Sequence, residues 1–413
     1  MLLLGIRGTV GSFLFIAGVV LYVVWLVTPR VRHPELVEEI LTPARARFEV
    51  WDRYLEDREL NGYWDAEEVM NGWAEQKEEN SPESPAARKV LEELAPQLSE
   101  ALKKPYFLVP SSMPTMKDDL REWRPTTMVS LRSLGCGLAN LGRSQIEAGK
   151  IWRGIHTLCL SLRFSLEIRN QTDLVTRNLA DALSTMSIRS IAELIPTGHE
   201  SLEDWERLSS LCLPARTLRE ELVNGFGDHL LEGLVGLQSM TGAGLRRGLT
   251  KGEGLKIHSF QLLLLLSFRV LAISQRDSRA ICNSMAELVQ QVRKGRPLAP
   301  PMSRLNLFAA IFIPSEQYLE NLVSAIHDSQ GSLLGLGVSA KLLAFRLRHG
   351  AFPATLEDLN LGQDLEDFHW DSAEAKLRIK SLPNLPGGNR PPNEHGWMKR
   401  DSAGWLFQLS PPC

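Results

Sequence analysis

TMVSLRSLGCGLANLGRSQIEAGKIWRGIHTLCLSLRFSLEI, residues 127–168, decides the fold. Its apolar residues recur three and four apart on both sides of the turn EAGK, the spacing that lines one face of an α-helix. Gly149 can take the left-handed conformation that ends a helix, so the segment reads as a helical hairpin. Ile151, Trp152, Ile155, Leu158 and Leu162 form the inward stripe expected of its second helix.

Working outward, NLADALSTMSIRSIAELIP, residues 178–196, continues with an amphipathic helix stopped by Pro196, and residues 201–213 and 215–238 give two more. Helices in pairs need neighbours to cover their apolar faces, so a short superhelical, repeat-like array is the natural architecture. Upstream, residues 34–104 read as helices of mixed polarity. KEENSPESPAA (77–87) reads as a loop, and PYFLVPSSMP (105–114) as an extended hinge because three prolines forbid a helix. Downstream, residues 239–259 form a glycine-rich, basic loop lacking any complete phosphate-loop pattern, and SFQLLLLLSFRVLAIS (259–274) is too short and interrupted to span a bilayer and reads as a core helix.

The N-terminal stretch GTVGSFLFIAGVVLYVVWLVTP, residues 8–29, carries no charge and is bounded by Arg7 and by Arg30 and Arg32. As a helix it would extend about 33 Å, enough for a hydrocarbon layer of ~30 Å. It is expected to be a single transmembrane signal anchor with Trp25 at its interface; a cleaved signal peptide would have a shorter apolar region and a small-x-small site. Arg30, Arg32, Arg45 and Arg47 after the span lean toward a cytoplasmic body by the positive-inside rule.

Lys plus Arg number 46 against 49 Asp plus Glu, a net charge of -3, so no basic field draws the chain toward nucleic acid. At 413 residues, 44% of them hydrophobic, the chain can build real cores. Cys136, Cys159, Cys212, Cys282 and Cys413 lie far apart without a CxxC pair and read as core thiols, a Cys136 to Cys159 bridge being the leading exception.

No residue constellation rises to a catalytic, cofactor or metal signature: there is no HExxH, HxH or GxSxG. His199 with Glu200 and Glu203 sits at a helix start, where acids stabilise the dipole without an ion. The adjacent pairs Asp228–His229 and His327–Asp328 point about 100° apart on a helix and do not form dyads. Trp51, Trp64, Trp73, Trp123 and Trp152 concentrate in the first half, lining a groove or packing between helices.

GSLLGLGVSAKLLAFRLRHGAFPATLEDL, residues 331–359, encodes a helix closed by Gly350, a turn through Phe352 and Pro353, and a second short helix with a Thr355–Asp358 capping box. KLRIK (376–380) and GWLFQLS (404–410) alternate as short strands. Through Ala340, Leu343, Phe345, Arg346, Arg348, His349, Gly350, Phe352, Pro353, Leu356 and Leu359 the chain resembles a class of bacterial membrane-anchored helical proteins with a motif of the form A..L..YRLRHG.YP..L..L before a small β element. It is similar, more distantly, to the globular part of type II secretion pseudopilins and to tetratricopeptide hairpins. It departs from the pseudopilins in lacking a DP-x-G segment, an SxGxDG ending and a prepilin cleavage site. The likeness covers residues 127–196 and 304–410; it implies placement in the bacterial envelope, at the inner membrane, with the body outside the cytoplasm, and implies no activity.

The sequence therefore predicts a mainly α chain: a transmembrane anchor (1–33), a helical segment (34–104), a helical body (105–330) and a C-terminal α+β module (331–413). The function expected is a non-enzymatic, membrane-tethered scaffold that contacts the membrane through residues 8–29 and binds a protein or peptide partner. An envelope hydrolase whose pocket gathers two or more of His156, His229 and His258 with nearby acids, or a pseudopilin-like assembly subunit, is the alternative.

Overall fold

The computed structural model describes residues 31–79, 84–110, 125–169, 174–194, 201–213, 220–231, 233–234, 278–294, 296, 316–361, 368–380, 393–395, 398–401 and 404–409. At its centre is the hairpin of α4 (Pro125–Glu147) and α5 (Ile151–Arg169). Gly149, at φ 77, sits just past the end of α4, and the N–H of Lys150 reaches back to the carbonyl of Gln145 at 2.8 Å. This satisfies a helix-terminal carbonyl by the Schellman pattern. The two helices touch where glycines face each other: a Cβ on Gly154 would lie 2.6 Å from the Gly142 carbonyl oxygen.

Ile155, Leu158 and Leu162 are buried as their spacing predicts. Trp152 departs from that stripe and is 39% exposed, because it stands in the first turn of α5, beyond the cover of the neighbouring helices. α6 (Leu174–Leu194) packs against both α4 and α5, followed by α7 (Leu202–Cys212), whose Ser201 caps its N-terminus by accepting the N–H of Asp204 at 3.3 Å.

Before the hairpin lie α1 (Pro34–Tyr54), α2 (Tyr63–Glu79) and α3 (Pro85–Ala101). The Ser84–Pro85 step places a capping hydroxyl and a first-turn proline at the start of α3. After it come α8 (220–231), α9 (278–293) and α10 (Glu316–His349). A repeat array would confine contacts to neighbours in sequence. Instead α1 closes a hydrophobic cluster with α8 and α9, and α10 packs on α6, α7 and the sheet, because these amphipathic faces find their apolar complement only across the chain.

The expected fold with a single N-terminal transmembrane helix is corrected. The chain is mainly helical with a small antiparallel C-terminal sheet, and no helix among the described residues is long and apolar enough to cross a membrane. The physical reason is that the described helices carry polar or charged faces; α1, for example, interleaves Glu38, Glu39, Arg45 and Arg47 with its buried stripe. The apolar stretch 8–29, the glycine-rich segment 239–258 and the apolar run 259–274 lie outside the described residues.

The described part of the expected hinge, 105–110, is held in place. Buried Asn61 donates to the carbonyls of Leu55 (2.8 Å) and Leu108 (2.9 Å), and its oxygen accepts the N–H of Leu108 at 2.8 Å. Trp51 Nε1 donates to the Val109 carbonyl at 3.1 Å.

Beyond α10 a 3-10 turn, Glu357–Leu359, stands where a second short helix was expected, with the Thr355 N–H donating to Asp358 at 3.2 Å. Five strands follow, β1 (Phe368–Asp371), β2 (Lys376–Lys380), β3 (Asn393–His395), β4 (Met398–Asp401) and β5 (Gly404–Gln408), in antiparallel order β1-β2-β5-β4-β3. Leu377, Ile379, Met398, Trp405 and Phe407 alternate onto one buried face. That face docks on glycines of α10: a Cβ at Gly335 would meet the Phe407 ring at 2.0 Å, and one at Gly331 would meet Trp405 at 2.5 Å.

Candidate functional site

Two groups of polar side chains are assembled from distant segments. The first lies at the junction of the three hydrophobic clusters. Arg169 closes α5, while Arg177 and Asp181 lie one turn apart on α6. Glu221 and Asp228 come from α8, Arg47 from α1, and Ser329 and Gln330 from α10.

Arg177 meets Glu221 at 2.6 Å and Asp228 at 2.9 Å. Asp228 is shared with Arg47. Arg169 stands 3.0 Å from Asp181 and donates to Gln330 at 2.6 Å, and Ser329 donates to Asp181 at 2.8 Å. Three guanidinium groups thus face three carboxylates, and five of these six side chains are at most 8% exposed.

Burial pushes the Asp181 and Asp228 carboxyls above their ordinary range, and the neighbouring arginines pull them only part of the way back. Burial also opposes the charge on Arg177, but Glu221, Asp228 and Asp181 together outweigh it and raise its pKa. Charges so enclosed serve the arrangement of the helices, because a guanidinium removed from water needs its carboxylates in place.

The second group opens to solvent. On the last turns of α10, Lys341, Ala344, Phe345, Arg348 and His349 follow one another at helical spacing and form one wall of a cleft of about 280 Å³. Glu206 of α7 and Asp358, Leu359 and Asn360 of the following turn complete it. Gly350, at φ 80, releases the chain from the helix, and Asn360, at φ 50, closes the 3-10 turn. Arg348 pairs with Glu206 across the mouth. The His349 ring lies tilted at 39° against Phe345 with centroids 4.3 Å apart, and Arg346 lies 5.0 Å over the Phe352 ring. Lys341 is half-buried and has no ion-pair partner among the described residues. Asn360 is exposed, and Ala344 and Leu359, each 4% exposed, belong to the hydrophobic core behind the cleft.

The remaining residues singled out from sequence are dispersed. His156 is half-exposed on α5, with Nε2 3.6 Å from Asp204, and His258 and His199 lie outside the described residues. Asp228 joins the ion-pair network while His229 follows it on the same helix, so the cleft contains neither His156 nor His229. Among the described residues no group of three or more His, Cys, Asp or Glu is placed to hold a metal ion.

Trp51 and Trp73 are each 1% exposed, and Trp64 donates to the Leu55 carbonyl at 2.7 Å, so these tryptophans pack and pin helices and line no groove; Trp123 lies outside the described residues. Cys136, Cys159, Cys212 and Cys282 are free thiols, which corrects the Cys136 to Cys159 bridge. Both stand on packed helices that hold them as apolar side chains.

Sequence reading missed the ion-pair network, though it left a signal: Arg177 and Asp181 at i, i+4, followed by Ser184, form a polar stripe along the helix. Comparison with family models, with curated proteins and with solved structures finds no match to this chain.

Proposed function

We propose that the chain is a non-enzymatic scaffold of the bacterial envelope, a rigid helical body that presents fixed surfaces to a protein or peptide partner. The observation that carries this reading is the largely buried network of Arg47, Arg169, Arg177, Asp181, Glu221 and Asp228. It ties α1, α5, α6 and α8 into one arrangement, with five of its six side chains at most 8% exposed. Buried ion pairs of this kind favour a unique packing more than they add stability.

Cross-linking in the native cell tests the reading. A photoreactive amino acid replacing the exposed Trp152 is expected to capture a defined partner, and the same residue replacing buried Trp51 is expected to capture none. Silence from Trp152 and from further exposed positions such as Leu347, or turnover of ester or peptide substrates by the purified chain, would overturn it. Placement is read by an alkaline phosphatase fusion at Cys413, which is active only where disulfides form; an inactive, well-expressed fusion would put the body in the cytoplasm.

A further inference from the structure

We infer that α1, α8 and α9 form a unit with its own core that opens from the rest of the chain along the ion-pair network, neither core unfolding as it does so. This goes beyond the scaffold reading: the closed state is the arrangement described above, and the open state is a minor population in equilibrium with it.

The apolar residues divide along this line. Among the described residues, α4, α5 and α6 each contribute to two of the three hydrophobic clusters and so join those two into one body. The buried apolar residues of α1, α8 and α9 contribute to the third cluster alone. What meets the body from α1 and α8 is the network of buried charges. The hydrophobic effect resists opening in proportion to the apolar area exposed, so it opposes parting along charges less than parting through a core.

The charges divide along the same line. Arg169, Arg177 and Asp181 stand on α5 and α6, and Arg47, Glu221 and Asp228 on α1 and α8. Arg169 with Asp181, at 3.0 Å, lies wholly on one side, and Arg47 with Asp228 wholly on the other, so both pairs survive opening. The pairs that cross are Arg177 with Glu221 at 2.6 Å and with Asp228 at 2.9 Å, and the longer contact of Arg169 with Glu221 at 3.7 Å. Opening returns Arg177 and Glu221 to water, and their hydration offsets most of the attraction lost, because a buried pair gains little over its hydrated ions.

Beside the network lies a pivot. Trp51 Nε1, in the last turn of α1, donates to the Val109 carbonyl at 3.1 Å, and the Asn61 side chain bridges the carbonyls of Leu55 and Leu108. Phe107 and Val109 belong to the core of the body, while Leu108 between them packs against the core of the unit. A short stretch that takes part in both cores is where the backbone absorbs a hinge motion between them.

The test uses the full chain. Ketone-bearing amino acids replacing the exposed Ala46 on α1 and Ser210 on α7 carry nitroxide labels, and double electron–electron resonance reads the distance between them. Glu221→Lys, which sets a cation against Arg177 and Arg169, is expected to lengthen the main distance by about 5 Å or more. Cys212, buried in the core of the body, and Cys282, buried in the core of the unit, are expected to stay as unreactive to iodoacetamide as in the wild type. A main distance unchanged by Glu221→Lys would overturn the inference. So would labelling of Cys212 or Cys282 in that variant at the rate of the urea-denatured chain, since a core would then be unfolding. If Glu221→Lys does not fold, Glu221→Gln carries the same readouts: a partial lengthening with both thiols protected is expected, and an unchanged distance overturns the inference.

Discussion

Arg177 on α6 donates to Asp228 on α8 at 2.9 Å, and the two side chains are 5% and 1% exposed. A buried pair of this kind contributes little net stability while intact, because desolvation offsets the attraction, but removing one partner leaves the other charged and enclosed.

Arg177→Met is therefore expected to destabilise the chain by roughly 3–5 kcal/mol at neutral pH. Glu38→Gln, which breaks an exposed pair with Arg45, is expected to cost less than about 1 kcal/mol. Urea unfolding followed by circular dichroism measures both; equal midpoints for the two variants would show that the buried network is energetically idle.

The pH dependence has a defined sign. Burial holds the folded-state pKa of Asp181 and of Asp228 above the unfolded value, with the arginines offsetting only part of the effect. A carboxyl raised in this way binds its proton more tightly in the folded state. Its contribution to stability is present below the unfolded value of about 4 and is lost as pH rises through the folded value. Asp181→Asn fixes the neutral form, so wild type should gain stability relative to this variant as pH is lowered through that window. Urea midpoints of the pair between about pH 4 and pH 7 decide it, and a difference that moved the other way would place the arginines in command.

Cysteine reactivity follows burial. Burial pushes the Cys159 thiol up to about 12 and Cys282 to about 11, and raises Cys212 well above its ordinary value. At pH 8 the thiolate fraction of Cys159 is then on the order of one in ten thousand. Iodoacetamide on the native chain should leave these three unmodified, while denaturation should expose all of them within the same labelling time. Mass spectrometry of peptides containing Cys159, Cys212 and Cys282 reads the result; rapid native labelling of any one would contradict its packing.

The docking of sheet on helix turns on Gly335, where an added Cβ would stand 2.0 Å from the Phe407 ring. Gly335→Ala is expected to lower stability by about 1–3 kcal/mol through overpacking. Phe407→Leu in the same chain should restore part of that loss, a coupling that thermal unfolding of the single and double variants would detect. Simple additivity would mean that the sheet moves aside at no cost.

The sequence by itself determined what is local. The 3.6-residue period over 127–168 and the glycine at 149 sufficed for the α4–α5 hairpin, because the backbone bonds of its helices and of its turn join residues at most five apart. The alternation in 376–380 and 404–408 likewise sufficed for β2 and β5. The remaining strands hold three or four residues each, and for them the alternation is too short to read. Only the tertiary structure decided which helix faces meet. The ion pair of Arg47 with Asp228 spans 181 positions, and the Trp405 and Phe407 rings rest on Gly331 and Gly335 in a helix that a period alone would have left unpartnered. The cleft of Lys341, Glu206 and Asp358 is of the same kind. Periodicity fixes which face of an element is apolar, but the choice of what covers it is made by shape and charge between residues that the chain order keeps far apart.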